Sequence, residues 1–196
     1  MPRADQDTLR GTRLALRPPS GRAAGRRSLD EHVRVRFPAP FRSLSAWFQR
    51  LPPGSRVRRA LLARTMSRAY AAANRRDFEL VLTFNDPAAY EYHPSADLLP
   101  PDMETVYRGH DGYRRFWRLW LDAFDDIHWD PVEILDFGDK ALVTTTQSGR
   151  GSGSGVAVSE PVFQLFTFRR GLVTSQEDFL DRDEALRAAG SPGDSG

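Results

Sequence analysis

The fold is decided by residues 155–181, which read GVAVSEPVFQLFTFRRGLVTSQEDFLD. Between 162 and 168, apolar side chains occupy both faces of a period-two pattern, which predicts a central strand that is covered on both sides. The pair Arg170 and Gly171 predicts a hairpin turn, and a second strand is predicted over 172–180. This part of the chain therefore folds as a hairpin in the body of a sheet.

The return strand carries several polar side chains on one of its two faces. Thr174, Gln176 and Asp178 share a face because they are two residues apart. Burying a glutamine or an aspartate without hydrogen-bond partners is costly, so this pattern indicates a pocket with a polar lining. In the opposite phase, Glu177 points inward and Asp178 is a surface acid. The sequence leaves both phases open.

Composition excludes several classes of protein. The 196 residues suffice for one domain with spare length or for two small ones. The absence of cysteine excludes disulfides, thiolate metal sites and a cysteine nucleophile. No apolar run approaches the roughly 18 residues of a membrane-spanning helix. Charged residues follow Arg26 and Arg27, where an export signal needs an apolar core. We therefore expect a soluble, cytoplasmic protein that does not bind membranes.

The net charge of +2 conceals two halves of opposite charge. Residues 1–76 hold 18 arginines and four acids, a net charge of +14, and the remainder has a net charge of −12. Prolines and glycines without periodicity predict that 1–54 is a disordered leader with at most one short helix around 42–50. Binding of nucleic acid by this leader is one interpretation. The leader lacks aromatic residues interleaved with its arginines, which argues against nucleic acid as a partner and favours an unstructured segment.

The residues after Ser55 predict an α+β domain that spans 55–190, followed by a disordered tail at 191–196. Helices before consecutive antiparallel strands are typical of a fold in which the helices lie on one side of a curved sheet. Ser55 and Asp111 are predicted helix N-caps. Helices are predicted at 57–74, 78–84, 111–124 and 181–189, and strands at 88–93, 132–137, 140–147, 156–168 and 172–180.

An aromatic stripe follows the predicted helix 111–124. Trp117 and Trp120 belong to this stripe together with Tyr113, Phe116 and Phe124. Such a stripe is usually part of the core, but it forms the wall of a cavity where the sheet curves away from it. The sequence does not decide between these two roles.

The strand AAYEYH carries the remaining candidate groups. His93 ends this strand next to Pro94, where its side chain either points into the concavity of the sheet or is a structural histidine. Tyr90 and Tyr92 share a strand face, either as hydroxyl donors of a pocket or as core residues. The four histidines lack the spacing of a metal site. The glycine-rich segment 149–155 precedes a strand, so it is a hairpin connection rather than a phosphate loop.

Residues 57–190 resemble the SnoaL-like domains of the nuclear transport factor 2-like superfamily. The resemblance lies in RAYAAANRRDF, AYEYHP, VYRGHDGYRRFW, QLFTFRRGLV and EDFLDRDEAL, in this order and spacing. It implies a cone in which a curved, mixed and mostly antiparallel sheet wraps around N-terminal helices and encloses an apolar cavity. It also implies a homodimer formed through the sheet and an activity without cofactor or metal.

Three groups of enzymes in this superfamily suggest roles for single residues. Limonene epoxide hydrolases have an aspartate where Asp178 stands, but Gln164 and Val162 replace their second aspartate and their arginine. Ketosteroid isomerases have their base at the position of His93 and an oxyanion-hole aspartate at that of Gln164. Tyr70 lies one residue out of register with their oxyanion tyrosine. In polyketide cyclases, Asp178 is the nearest match to the catalytic aspartate.

The sequence thus predicts a small-molecule-binding protein of one of two kinds. The first is a cofactor-independent isomerase or cyclase, or less readily an epoxide hydrolase, that uses acid–base chemistry on an apolar carbonyl substrate. The second is a non-catalytic ligand-binding or dimerisation module. In the first kind, His93 is the base and Asp178 a second titratable group, and both converge with Gln164 on one pocket. The residues predicted to contact the ligand are Tyr90, Tyr92, Trp117, Trp120, Gln147, Gln164, Phe166 and Gln176.

Overall fold

The computed structural model describes residues 11–16, 27–100 and 102–190. The helices are α1 (Leu29–Arg36), α2 (Pro38–Gln49), α3 (Arg56–Asn74), α4 (Phe78–Leu82), α5 (Gly109–Ala123) and α6 (Arg182–Gly190). The strands are β1 (Thr12–Ala15), β2 (Glu91–His93), β3 (Tyr107–Arg108), β4 (Phe124–Asp136), β5 (Lys140–Gly151), β6 (Ala157–Arg169) and β7 (Leu172–Phe179). None of the helices within these ranges is long and apolar enough to cross a membrane.

The strands form one open, mixed sheet in the order β1-β4-β5-β6-β7-β2-β3. All neighbours are antiparallel except β2 and β7, which run parallel. Strand β6 lies between β5 and β7, which confirms the prediction of a central strand. Arg170 and Gly171 have φ of 50° and 86°, as the tight turn of a twisted hairpin requires. The predicted α+β class and the hairpin are therefore confirmed.

The two faces of the sheet are covered by different helices. On the inner face, the side chains of β4 to β7 pack with those of α3, α4 and α5 in the main core. On the outer face, Phe163 and Leu165 of β6 form a second cluster with Ala185 and Ala189 of α6. The prediction that the helices lie on one side holds for α3, α4 and α5, whereas α6 covers the opposite face.

The aromatic stripe of α5 belongs to the core. Phe116, Trp117 and Trp120 are buried, and the rings of Phe116 and Trp120 stack with their centres 5.4 Å apart. The helix begins two residues before the predicted cap, because Arg108 takes the N-cap position and Asp111 lies in the first turn. The strand that follows is also longer than predicted. It begins at Phe124 and turns alternate residues such as Ile127 and Trp129 inward.

The described part of 1–54 is more ordered than predicted, although α2 covers most of the short helix that the sequence predicts around 42–50. Strand β1 pairs with β4, and helices α1 and α2 occupy residues 29–49. Residues 1–10 and 17–26 of the leader, and the predicted tail at 191–196, lie outside the described residues. Helix α1 begins with a capping box between Ser28 and Glu31.

Opposite charges explain why this segment packs on the domain. Arg27 binds Asp77 with two hydrogen bonds of 2.5 and 2.6 Å. In the reverse direction, Glu31 of α1 accepts a hydrogen bond of 3.2 Å from Arg75, the residue that follows α3. The first pair joins the basic half to the acidic half, and the second pair lies within the basic half. The net charge of a segment does not indicate which residues form such pairs.

A buried ion pair anchors the start of α3. Arg58 is 2% exposed, and its guanidinium donates to both carboxylate oxygens of Asp136 at 2.8 and 2.9 Å. It also donates to the backbone carbonyls of Gln49, Leu51 and Gly138. Because every donor has a partner, the buried charge is compensated. One side chain therefore joins the end of α2, the start of α3 and the turn between β4 and β5.

Candidate ligand-binding site

A cavity of about 90 Å³ lies between the inner face of the sheet and helices α2 to α5. Its lining is mostly apolar and rich in aromatic rings. Trp117, Trp120, Trp129 and Phe166 line it, and the rings of Trp117 and Trp129 meet edge to face with centres 5.1 Å apart. Rigid, flat walls of this kind suit a flat apolar ligand.

The polar part of the cavity is centred on Asp178. This residue lies on β7 directly opposite Gln164 of β6. Its carboxylate accepts hydrogen bonds from the hydroxyl of Tyr92 at 2.7 Å, from Nε2 of Gln164 at 3.0 Å and from Nε2 of Gln176 at 3.1 Å. Asp178 is 8% exposed, so these three donors replace most of its water. The phase in which Asp178 faces inward is the one that the structure adopts.

Two more tyrosines hold the donors of Asp178 in place. The hydroxyl of Tyr70 donates to Oε1 of Gln164 at 2.6 Å, and that of Tyr90 donates to Oε1 of Gln176 at 3.2 Å. Each glutamine therefore accepts from a tyrosine and directs its amide nitrogen at the carboxylate. We call Asp178, Gln164, Gln176 and the three tyrosines the Asp178 network.

Asp178 is the group of this network that titrates near neutral pH. Burial raises the pKa of Asp178 to about 6, against the lowering effect of its hydrogen bonds from Tyr92, Gln176 and Gln164. Burial also raises the pKa of Tyr70, Tyr90 and Tyr92 well above 10. The tyrosines therefore remain protonated donors while the carboxyl changes its charge.

Two further polar groups belong to the cavity wall. The indole nitrogen of Trp129 donates to Oε1 of Gln147 at 2.8 Å, which orients this predicted ligand contact. Trp120 is 3% exposed, and its indole nitrogen has no hydrogen-bond partner among the described residues. A buried N–H group without a partner is costly, so a ligand with an acceptor atom is favoured beside it.

The prediction that His93 converges on this pocket is wrong. Tyr92 points into the cavity and is buried, so the next residue along the strand points to the opposite face. The side chain of His93 is 37% exposed, and its Nε2 lies 3.3 Å from a carboxylate oxygen of Glu91. Its predicted role as the base therefore has no support in the geometry. Tyr92 and His93 cannot both face the cavity from a regular strand.

The other predicted ligand contacts come together around the cavity. Those that line it are Tyr92, Trp117, Trp120, Gln147, Gln164, Phe166 and Gln176, together with Asp178. Tyr90 does not line the cavity and acts on it only through Gln176. Within the described ranges, no three side chains of the types that bind metal ions come together.

Sequence reasoning missed two parts of the site. The first is Tyr70, which is one residue out of register with the oxyanion tyrosine of ketosteroid isomerases. Its signal in the sequence is the four-residue spacing of Leu62, Met66 and Tyr70, which is that of a buried helix face. The second part is α2, whose Phe48 and Gln49 line the cavity. No motif in the leader pointed to that contact.

Comparisons with known proteins agree with this fold. The model of the SnoaL-like domain matches residues 66–176. TerC, in a crystal structure with polyporic acid, is 22% identical, with 65% of this chain and 97% of that chain covered and a TM-score of 0.55. An NTF2-like protein of unknown function from Burkholderia pseudomallei is also 22% identical, with coverages of 65% and 96% and a TM-score of 0.56. For TsrD from Streptomyces laurentii, the identity is 26%, the coverages are 68% and 98%, and the TM-score is 0.50. No curated protein matches the chain.

Proposed function

The chain belongs to the SnoaL-like domain family, and we propose that it binds a small apolar carbonyl compound and transfers a proton on it without a cofactor. The reaction is an isomerisation or an aldol-type cyclisation, and Asp178 is the acid–base group. The observation that carries this proposal is a buried carboxyl group with a pKa of about 6 in the wall of an apolar cavity. A group whose pKa lies near the working pH is suited to both accept and return a proton.

A substrate reaches the Asp178 carboxylate by displacing one of its hydrogen bonds. A carboxylate has about four lone-pair positions, and at Asp178 they receive four contacts: Oδ1 accepts from Gln164 and Gln176, and Oδ2 accepts from Tyr92 and Gln164. Because Nε2 of Gln164 contacts both oxygens, its longer contact of 3.2 Å is the one that a substrate replaces. Above its pKa, the carboxylate takes a proton from the carbon next to the substrate carbonyl, and the electron pair of the broken C–H bond moves towards the carbonyl oxygen. The resulting enolate either regains the proton from Asp178 at another carbon, or it forms a C–C bond with a second carbonyl whose oxygen then takes the proton from Asp178.

The enolate oxygen needs a hydrogen-bond donor. The indole nitrogens of Trp117 and Trp120 have no partner among the described residues, and both residues line the cavity. We assign this role to these two indole nitrogens, since preorganised donors in an apolar site stabilise developing negative charge. The tyrosine hydroxyls are less suitable because the network already engages those of Tyr70, Tyr90 and Tyr92.

Exchange of carbon-bound hydrogen for deuterium tests this proposal without knowledge of the natural substrate. β-Tetralone, a flat bicyclic ketone, is incubated with the protein in D₂O, and exchange next to its carbonyl is followed by NMR. We expect catalysis by the wild type and a loss of at least about a hundredfold in Asp178→Asn, the usual contribution of a general base. Glu177→Gln is the matched control, because Glu177 neighbours Asp178 on the strand and does not line this cavity. Equal exchange with the wild type and Asp178→Asn would contradict the proposal.

A non-catalytic binding protein is the second candidate. It is favoured by the composition of the cavity lining, where Asp178 is the only acidic or basic residue apart from tyrosines among the described residues. Because His93 lies outside the cavity, the cavity lacks the second titratable side chain that acid–base catalysis often uses beside Asp178. In this case β-tetralone raises the melting temperature through mass action, but neither the wild type nor Asp178→Asn accelerates exchange.

The homodimer stays a prediction that light scattering can test. A second copy of the chain gives a particle of twice 22.1 kDa. A mass that stays at that of one chain over the working range of concentration would show that the proposed activity belongs to the monomer.

A further inference from the structure

We propose that α2 is the gate of the cavity, with Phe48 as the side chain that blocks ligand entry. This inference rests on the proposed function only in that the cavity binds a ligand, and it is independent of the acid–base chemistry. Ligand enters when α2 moves away from the hairpin turn of β6 and β7. The same helix then sets the size of the ligand that the closed cavity can hold.

Helix α2 is a wall that is one helix thick. Ser45 and Phe48 are buried and line the cavity. Leu44 and Trp47, from the other side of the same helix, are 54% and 53% exposed. The cavity lies on one side of α2 and the solvent on the other, so displacing this helix widens the entrance to the cavity.

The cavity as the structure holds it is small for the proposed ligands. Its volume is about 90 Å³, whereas an engineered protein cavity that binds benzene measures about 150 Å³. A bicyclic ketone is larger than benzene, so a wall must move before it binds. The sheet and α5 are poor candidates for this movement, because their side chains are interlocked in the main core.

The attachment of α2 is the weakest among the larger elements around the cavity. Two of its twelve residues are buried, in comparison with five residues of α5. One side-chain hydrogen bond joins it to the hairpin, from the backbone nitrogen of Gly171 to Oε1 of Gln49 at 2.8 Å. Elements with few buried contacts open locally at low cost in free energy.

Two contacts of α2 suit a helix that moves: a close approach to the hairpin turn and a fixed segment after its last residue. A Cβ atom at Gly171 would collide with the backbone nitrogen of Ala46, so glycine lets α2 rest directly on the turn. Arg58 holds the carbonyl of Leu51, beyond the end of α2, at 3.3 Å and is itself fixed by Asp136. The helix can therefore leave the turn while the following segment stays attached.

The gate lies outside the part of the chain that the family model matches. That match begins at Met66, within α3, so α1 and α2 lie before it. Gating by α2 is therefore inferred from the contacts of this chain and not from the family match.

Association kinetics of prodan, a fluorescent naphthyl ketone, test the gate. In stopped-flow experiments, we expect Phe48→Ala to raise the association rate constant at least tenfold, because the blocking ring is gone. Gln49→Ala should raise it about fivefold, the equivalent of one typical hydrogen bond. Trp47→Ala is the matched control and should stay within twofold, since Trp47 faces the solvent. Equal rate constants in all four proteins, or no binding to any of them, would overturn the proposal.

Hydrogen exchange on the wild type gives a second measurement that needs no variant. Backbone amides of α2 should exchange at least tenfold faster than those of α5, because the gate opens without global unfolding. Equal protection of the two helices would overturn the proposal. Failure of the gate leaves the deuterium exchange of β-tetralone by Asp178 unaffected, so the two proposals fail separately.

Discussion

Two walls of the cavity are held in place in different ways. The hairpin wall, formed by β6 and β7, is fixed by backbone pairing on both sides and by the Asp178 network. Among the described residues, the α2 wall is held by two buried side chains, by one side-chain hydrogen bond to the hairpin and, at its last residue, by Arg58. A reacting group must be positioned to within a fraction of an ångström, whereas an entrance must open. The rigid wall therefore carries the chemistry and the loose wall controls access.

The largest expected effect tests the rigid part of this comparison. Trp120→Ala should lower the free energy of unfolding by about 3–5 kcal/mol, because a large buried side chain is lost and a cavity remains. Leu119→Ala, at the neighbouring residue that is 40% exposed, is the control and should cost far less. Denaturant midpoints measure both changes. Similar midpoints for the two variants would show that α5 is not part of a rigid wall.

The next effect concerns the dependence of stability on pH. The pKa of Asp178 is raised from its ordinary value to about 6 in the folded state, so the folded protein binds this proton more tightly than the unfolded chain. The resulting stabilisation is present below pH 4 and is lost as the pH rises to about 6. Relative to Asp178→Asn, the wild type should lose roughly 2–3 kcal/mol between these values. Chemical denaturation at several pH values measures this difference, and a constant difference would contradict the shift.

A smaller effect separates the direct donors of Asp178 from the indirect ones. Tyr92→Phe removes a hydrogen bond to the carboxylate, which raises the pKa of Asp178 further. The pH above which deuterium exchange of β-tetralone reaches its plateau should rise with it. Tyr70→Phe should shift the profile less, because Tyr70 acts only through Gln164. Equal shifts in the two variants would mean that the network responds as a single unit.

Much of the hairpin wall could be predicted from the sequence because strands alternate. The period of two placed Gln164 and Asp178 on one face, and the structure pairs them directly. The same rule could have excluded His93, since Tyr92 and His93 are neighbours on one strand and point to opposite faces. His93 occupies the position of the ketosteroid isomerase base along the sequence, but the alternation of the strand decides the direction of its side chain.

The α2 wall could not be predicted in the same way. The short helix predicted around 42–50 corresponds to the second half of α2, but nothing in a segment rich in proline and arginine indicates the surface on which that helix packs. The charge of the leader was visible, but charge composition does not say which acid an arginine meets. The contacts of Arg27 with Asp77 and of Arg75 with Glu31 span 50 and 44 residues, and such separations are set by the tertiary fold.

The most direct test of the account is the pKa of the Asp178 carboxyl in the folded protein. Carbon NMR of labelled protein measures it, with Asp178→Asn to assign the resonance. We predict titration near pH 6, as expected for a buried carboxyl that is poised for proton transfer. A pKa at or below the ordinary aspartate value of about 3.9 would contradict the account, since the group would then remain ionised throughout the working range.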